Sequence, residues 1–182
     1  MGHPQPAFVR AADGFRGRVL DAGCGTGEHA LLAAGHGLDA TGIDTSETAI
    51  ERARAKAEER GLRARFLVWD ALDIASLGDR FQTVLDCGLF HVFDDDDRAR
   101  YVESLGSAVD TGGLLHVLCF SDLVPPGFGP RRVSQEEIRE SFADGWIVRS
   151  IDAARMDVTF APPGIPGWFA TIERAGDPVG YA

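Results

Sequence analysis

Cysteine is scarce: three in 182 residues, at positions 24, 87 and 119, with no C-x-x-C pair. An odd, widely spaced set excludes a disulfide framework and fits reduced thiols in a cytosol. Basic residues are short too, 18 against 28 acids, for a formal net charge of −10. That balance repels nucleic acid and anionic membrane, so neither is an expected partner. It weakly favours neutral or cationic small ligands. No apolar run reaches membrane-spanning length, and the start, MGHPQPAF, is neither basic nor continuously apolar. Repeats and low-complexity segments are absent. The expected location is cytoplasmic, and the expected state is a monomer or homodimer.

What is present suits one packed core. The chain is 45% hydrophobic and 25% charged, and its length is that of one domain, 1–182. Short apolar runs alternate with helical periods, the pattern of an α/β layered domain. Strands are expected at 18–22, 38–43, 64–69, 82–87 and 113–120, with two more at 145–152 and 167–174. Helices are expected at 27–36, from Ser46 to Gly61, from the run Asp94 to Asp97 through about Val109, and from Ser134 to about Phe142. Ser46 supplies a cap, Ser134-Gln-Glu-Glu137 a capping box, and four acids at a helix start suit the macrodipole. Proline- and glycine-rich loops fill 121–133 and the stretch APPGIPG. Helices between strands force parallel pairing and right-handed crossovers. The expected fold is a Rossmann-like doubly wound sheet of about seven strands, mostly parallel, with an antiparallel last strand.

In such sheets ligands bind outside the carboxyl ends of the strands, at the topological switch point. Asp21, Asp44, Asp70, and Asp86 with Cys87 all fall at strand ends. The first of them opens RVLDAGCGTGE, residues 18–28, where two glycine registers compete. Gly25-Thr-Gly27-Glu-His-Ala30 matches G-x-G-x-x-A, a dinucleotide pattern that is weak alone. The other register is Asp21-x-Gly23-x-Gly25-x-Gly27. A pyrophosphate there would be repelled by Asp21 and Glu28, whereas a ligand carrying an ammonium group and no phosphate would be attracted. Glycines serve either ligand, because they permit the tight turn and close backbone approach. Asp44, 23 residues after Asp21, can accept two hydrogen bonds from a ribose diol in both cases. It also reads as a turn residue before Thr45-Ser46. Asp70 can accept from an adenine amino group, or simply cap a turn.

The series D-A-G-C-G-T-G, G-I-D-T-S, W-D-A and L-D-C-G-L-F-H resembles the class I S-adenosylmethionine-dependent methyltransferases, over about residues 15 to 174. The resemblance implies S-adenosyl-L-methionine as cofactor and S-adenosyl-L-homocysteine as product. It implies that Asp21, Gly23, Gly25 and Gly27 hold the methionine part, and Cys24 in the same loop is a candidate beside them. His29, in the first turn of the first helix, either faces the cofactor carboxylate or lies on the helix surface. Asp44 and Thr45 would hold the ribose, Asp70 and Ala71 the adenine. Asp86, Cys87 and Gly88 would lie beside the sulfonium. GHPQPAF, GLFHVFDDDDR, CFSD, VSQEEIRESFADGW and ARMDVTF are similar to a narrower group of small-molecule methyltransferases. That group holds thiopurine S-methyltransferase, the tellurite-resistance proteins and the mycobacterial heterocyclic-toxin methyltransferases. In it a segment with a Trp-Asp pair precedes G-x-P-Q-P and helps cover cofactor and substrate, so a shortened lid is expected here.

The implied activity is methyl transfer to S, N or O of a small aromatic or heterocyclic acceptor. A base is needed only when the acceptor carries a proton at neutral pH. His91, just after the fourth strand, is the candidate base; a histidine that orients the loop or lines the pocket is the alternative. Phe90, Phe93, Phe120, Phe128 and Trp168 form a candidate aromatic pocket, or pack in the core. Arg131 and Arg132 either draw in an anionic acceptor or stand exposed. His116 reads as core, and His3 and His36 as peripheral. Cys87 has no partner that would make it a nucleophile. No metal site is expected, because consecutive acids on a helix point in different directions. A nicotinamide-dependent oxidoreductase and a non-catalytic S-adenosylmethionine-binding protein are the rival readings.

Overall fold

The computed structural model describes residues 2–125, 129–159, 161 and 163–176. Seven strands form one sheet: β1 (Arg18–Ala22), β2 (Asp39–Asp44), β3 (Ala64–Val68), β4 (Phe81–Cys87), β5 (Val109–Phe120), β6 (Trp146–Met156) and β7 (Ile165–Arg174). The spatial order is β3-β2-β1-β4-β5-β7-β6. The pairs among β1 to β5 are parallel, and β7 inserts antiparallel between β5 and β6. The order reverses between β1 and β4. Loops leaving those two strands therefore diverge and leave a crevice at their carboxyl ends.

Among the described residues five α-helices accompany the sheet: α1 (Pro6–Ala11), α2 (Glu28–Gly35), α3 (Glu47–Glu59), α4 (Asp95–Ala108) and α5 (Gln135–Ser141). Local chemistry sets their starts. The Ser46 hydroxyl accepts from the Ala49 amide, and Asp94 accepts from the Asp97 amide. Ser134 and Glu137 complete the reciprocal capping box. Two apolar clusters lie on the two faces of the sheet. One joins Leu20, Val84 and Phe90 to Tyr101, Phe142 and Trp146. The other joins Val19, Leu85 and Leu118 to Phe8, Leu31 and Ile50.

Several elements differ from expectation; β6, expected at 145–152, runs on to Met156. Pro6–Ala11 is helical, because Pro6 occupies the first turn, where its missing N–H costs nothing. β5 begins at Val109, directly after α4, rather than at 113. β7 begins inside APPGIPG: Pro166 pairs on the β6 side, and the β5 register ends one residue later, at Phe120 opposite Gly167. A proline lacking N–H is tolerated at that margin.

Candidate active site

The crevice is built from the β1 end upward. Asp21 is buried one residue before the end of β1, and its Oδ2 accepts the Ala30 amide at 2.9 Å. It thereby caps α2, whose N-cap Gly27 has no side chain to do so. Among the described residues its other oxygen, Oδ1, has no partner. Burial drives this carboxyl up to about 8, and the nearby charges of Asp86 and Asp44 push the same way. An orphaned, desolvated acid of this kind lacks a cation. Asp44 sits across the loop at the end of β2. Its Oδ2 accepts from the Gly25 amide at 2.9 Å and its Oδ1 from the Ser46 amide at 2.8 Å. The glycine loop is thus tied down at both ends.

A cavity of about 190 Å³ opens over this loop, lined by His3, Gln5, Gly23, Cys24, Gly25, Thr26, Glu28, His29 and Cys87. A methyl group placed on Gly25 would meet nothing within 4 Å, so the backbone here faces open space. His3 lines the cavity, which corrects its peripheral assignment. Glu28 does not repel an anion as expected. Lys56 Nζ lies 2.6 Å from its Oε1 and Arg60 Nη1 2.9 Å from its Oε2, and these cations hold its carboxyl below the ordinary value. Lys56 also donates to Thr26, buttressing the loop. The two cations stand four apart, Lys56 in the last turn of α3 and Arg60 at its C-cap, and that spacing was the signal available for finding them.

His29 is buried, held to about 4 by burial, and accepts the Gln5 amide on Nε2 at 3.1 Å. It therefore anchors the N-terminal segment. Gln5 is the residue that sequence reasoning missed. Its side-chain amide donates to the Asp157 carbonyl at 2.9 Å, and its carbonyl accepts the Asp157 amide at 2.7 Å. One buried glutamine thus ties the segment over the cavity both to α2 and to the loop after β6. We expect Gln5→Ala to cost about 1–3 kcal/mol of stability. Hydrogen exchange should speed up first in residues 2–11 and around Asp157.

At the end of β4, Asp86 is fully buried. Its carboxylate accepts from the Leu89 and Phe90 amides and from the Tyr101 hydroxyl, at 2.9 to 3.2 Å. Asp86 therefore holds the loop rather than lining the crevice, which corrects its assignment beside the sulfonium; burial pushes it up to about 6. Cys87 and Cys24 both line the cavity, with thiols raised by burial and so un-ionised. Asp70 is exposed and caps a 3₁₀ turn, Ala71–Leu77, through the Leu72 amide at 2.9 Å, with Ala71 buried behind it. Thr45 is exposed beside Asp44.

His91 is buried, and its Nδ1 accepts the Phe120 backbone N–H at 2.9 Å. Burial and the charge of Arg98 hold the ring to about 4. A neutral ring whose Nδ1 accepts carries its proton on Nε2. In this arrangement His91 has no open lone pair to offer, which corrects the base assignment. The expected aromatic pocket also divides. Phe90 is fully buried, stacked on Phe142 with Arg98 over its face at 4.4 Å, and belongs to the core. Trp168 is buried there too, its Nε1 donating to Asp122. Phe93 leans on Tyr101, and Phe120 lies 4.6 Å from the His91 ring. Phe128 lies outside the described residues. Arg131 bridges Asp95 and Glu137, so its charge is committed. Arg132 donates to the Pro130 and Pro125 carbonyls. His116 is buried between Phe15 and Phe169.

The β1–β4 switch point, the open glycine cradle and the unpaired acid Asp21 fit the zwitterionic methionine end of S-adenosylmethionine. Together with Asp44 at the end of β2, they define the S-adenosylmethionine-dependent methyltransferase class. The comparisons agree. Residues 19–113 match the family described as methyltransferase domain, and the chain belongs to that family. It is 37% identical to the 2-heptyl-1-hydroxyquinolin-4(1H)-one methyltransferase of Mycobacteroides abscessus, over 86% of this chain and 71% of that protein. A structure solved in work on the conversion of a disulfide bond into a thioacetal group during echinomycin biosynthesis is 38% identical. It covers 96% of this chain and 83% of that one, with a TM-score of 0.85. The fold is shared with the magnesium protoporphyrin IX methyltransferase of Synechocystis with bound S-adenosylmethionine: 22% identity, 93% of this chain and 76% of that one, TM-score 0.71. The protein is an S-adenosylmethionine-dependent methyltransferase, not a nicotinamide oxidoreductase. Among the described residues no helix is long and apolar enough to cross a membrane.

Proposed function

We propose that this enzyme methylates an O, S or N atom of a small, flat heterocycle that reaches the site already ionised. The observation that supports this reading is the commitment of both ionisable groups at the end of β4. Asp86 is sealed by three donors, and His91 Nδ1 is occupied by a backbone N–H. A site so built serves an acceptor that has lost its proton to water, such as an N-hydroxy heterocycle or a thiol of low pKa. One relative lends support: it is named for a hydroxyquinolone.

When bound, the cofactor supplies an electrophilic methyl group activated by its sulfonium. Asp21 would ionise against the cofactor's positive charge, with Gly23, Cys24, Gly25 and Gly27 giving close backbone approach. Asp44 and Thr45 would hold the ribose hydroxyls, and Asp70 with Ala71 the adenine edge. Cys87 and Gly88 would border the reacting centre. His3, Gln5 and His29 would close the methionine end from water. Phe93 and Phe120 would flank the acceptor ring. The protein's contribution is thus position and electrostatics.

The test is an acceptor panel scored by S-adenosylhomocysteine release: hydroxyquinolones, thiopurines, phenols and alkyl thiols. The expected order follows acidity at matched size, with hydroxyquinolones and thiopurines first. Turnover confined to alkyl thiols or aliphatic alcohols would overturn the acceptor class. Tight S-adenosylhomocysteine binding with no turnover of any acceptor would favour a non-catalytic binding protein.

A further inference from the structure

We propose that neutral His91 donates its Nε2–H to the anionic heteroatom of the acceptor, holds that atom over Gly88, and takes no proton from it. This rests on the acceptor class above and gives the histidine a role opposite to a base.

The tautomer comes from a backbone group. The Phe120 N–H can only donate, and it points at Nδ1 from 2.9 Å. Nδ1 must therefore present its lone pair, and the ring proton sits on Nε2. Adding a second proton would place an N–H against an N–H in a buried setting. Arg98, on α4, opposes the extra charge as well.

The location comes from Gly88. A methyl group placed on its Cα would lie 3.5 Å from His91 Nε2 and 3.6 Å from the Met156 Cε. The space over Gly88 is therefore bounded by one N–H donor and one apolar methyl. Gly88 adopts φ +84°, a conformation that favours glycine, so no side chain stands between its backbone and these two groups. Cys87, one residue earlier, lines the cavity over the glycine loop. Among the described residues His91 Nε2 has no hydrogen-bond partner. Unlike His116 Nε2, it is not sealed from solvent, so its N–H is open to a ligand that enters.

The proton balance is simple. The acceptor gives its proton to water before entering, the imidazole stays neutral throughout, and the bond from Nε2–H localises the anion's lone pair.

Two measurements test this. Nitrogen-15 NMR of the ring in the full chain should show the Nε2–H tautomer of His91, with no protonation above about pH 5. A proton on Nδ1, or a midpoint near 7, would overturn the proposal whatever the enzyme methylates. The second is the pH profile of kcat/KM for two probes of different acidity, 2-heptyl-1-hydroxyquinolin-4(1H)-one and 6-mercaptopurine. The acid limb should move with the probe. His91→Ala should lower kcat/KM roughly 10- to 100-fold on both without moving either limb. His91→Gln, which retains a side-chain N–H, should recover part of the loss. A limb fixed at one pH for both probes and abolished in His91→Ala would make His91 a base. Full rate in His91→Ala would make it neither. Should neither probe be methylated, binding of their anions, followed by absorbance, must weaken by the same factor in His91→Ala, and unchanged binding overturns the proposal. Failure of S-adenosylhomocysteine to bind would count against the functional reading alone, because the tautomer is read without it.

Discussion

Asp21→Asn is expected to stabilise the cofactor-free protein at pH 8 and to weaken S-adenosylhomocysteine binding by 100-fold or more. Both effects follow from one unpaired oxygen. The carboxyl is pushed up to about 8 in the folded chain, against about 3.9 when unfolded. Between those values the folded chain keeps a proton that the unfolded chain has released. Stability therefore falls as pH rises through that window, by up to about 1.4 kcal/mol per unit. Asp86, raised to about 6, adds the same sign only below that pH. His29, His91 and His116 act oppositely. Burial holds each to about 4. The unfolded chain thus binds protons that the folded one refuses, and stability is lost as pH falls from about 6.5 to about 4. From about pH 6.5 to 8, Asp21 carries the slope. Urea titrations across that range should show falling stability in wild type and a flat line in Asp21→Asn. Calorimetry should then show weakened S-adenosylhomocysteine binding, because asparagine offers no charge to a cation. An Asn variant that binds as tightly as wild type would remove Asp21 from the cofactor site.

The second large effect separates two glycines of one motif. Gly25 and Gly27 both have positive φ, +51° and +84°. Their surroundings differ. A methyl group on Gly27 would lie 2.7 Å from the Phe66 ring and 2.9 Å from the Ala53 Cβ, both buried, whereas one on Gly25 would meet nothing. Gly27→Ala should therefore cost roughly 2–5 kcal/mol, from left-handed strain and overpacking together. Gly25→Ala should cost only about 1–2 kcal/mol, from strain alone. Binding should reverse that ranking: the Gly25 methyl enters the open cradle and should lower S-adenosylhomocysteine affinity by at least tenfold in a still-folded protein. Thermal unfolding and calorimetry on both variants would show it. Equal loss of stability in the two would mean that Gly25, like Gly27, is there for packing.

Much of this architecture is readable along the chain because it rests on short-range chemistry. Ser46, Asp94 and Ser134 cap helices through amides three residues ahead. The glycines and acids stand at strand ends because turns and carboxyl-end ligands need those residue types there. The pattern of apolar runs is enough for a doubly wound sheet, and the spacing of Asp21, glycines and Asp44 for the cofactor class. The jobs of individual polar atoms were another matter, since they depend on groups that meet only after folding. Glu28 is neutralised from 28 and 32 residues away, by Lys56 and Arg60. Asp86 is sealed by Tyr101, 15 residues on, and Phe90 is drawn under Arg98 into the core. Gln5 meets Asp157 across 152 residues. The proton on His91 is placed by a backbone amide 29 residues later, on the neighbouring strand. A residue's type follows from its local turn and period. Which lone pair or proton it leaves for a ligand follows from the partners that packing supplies.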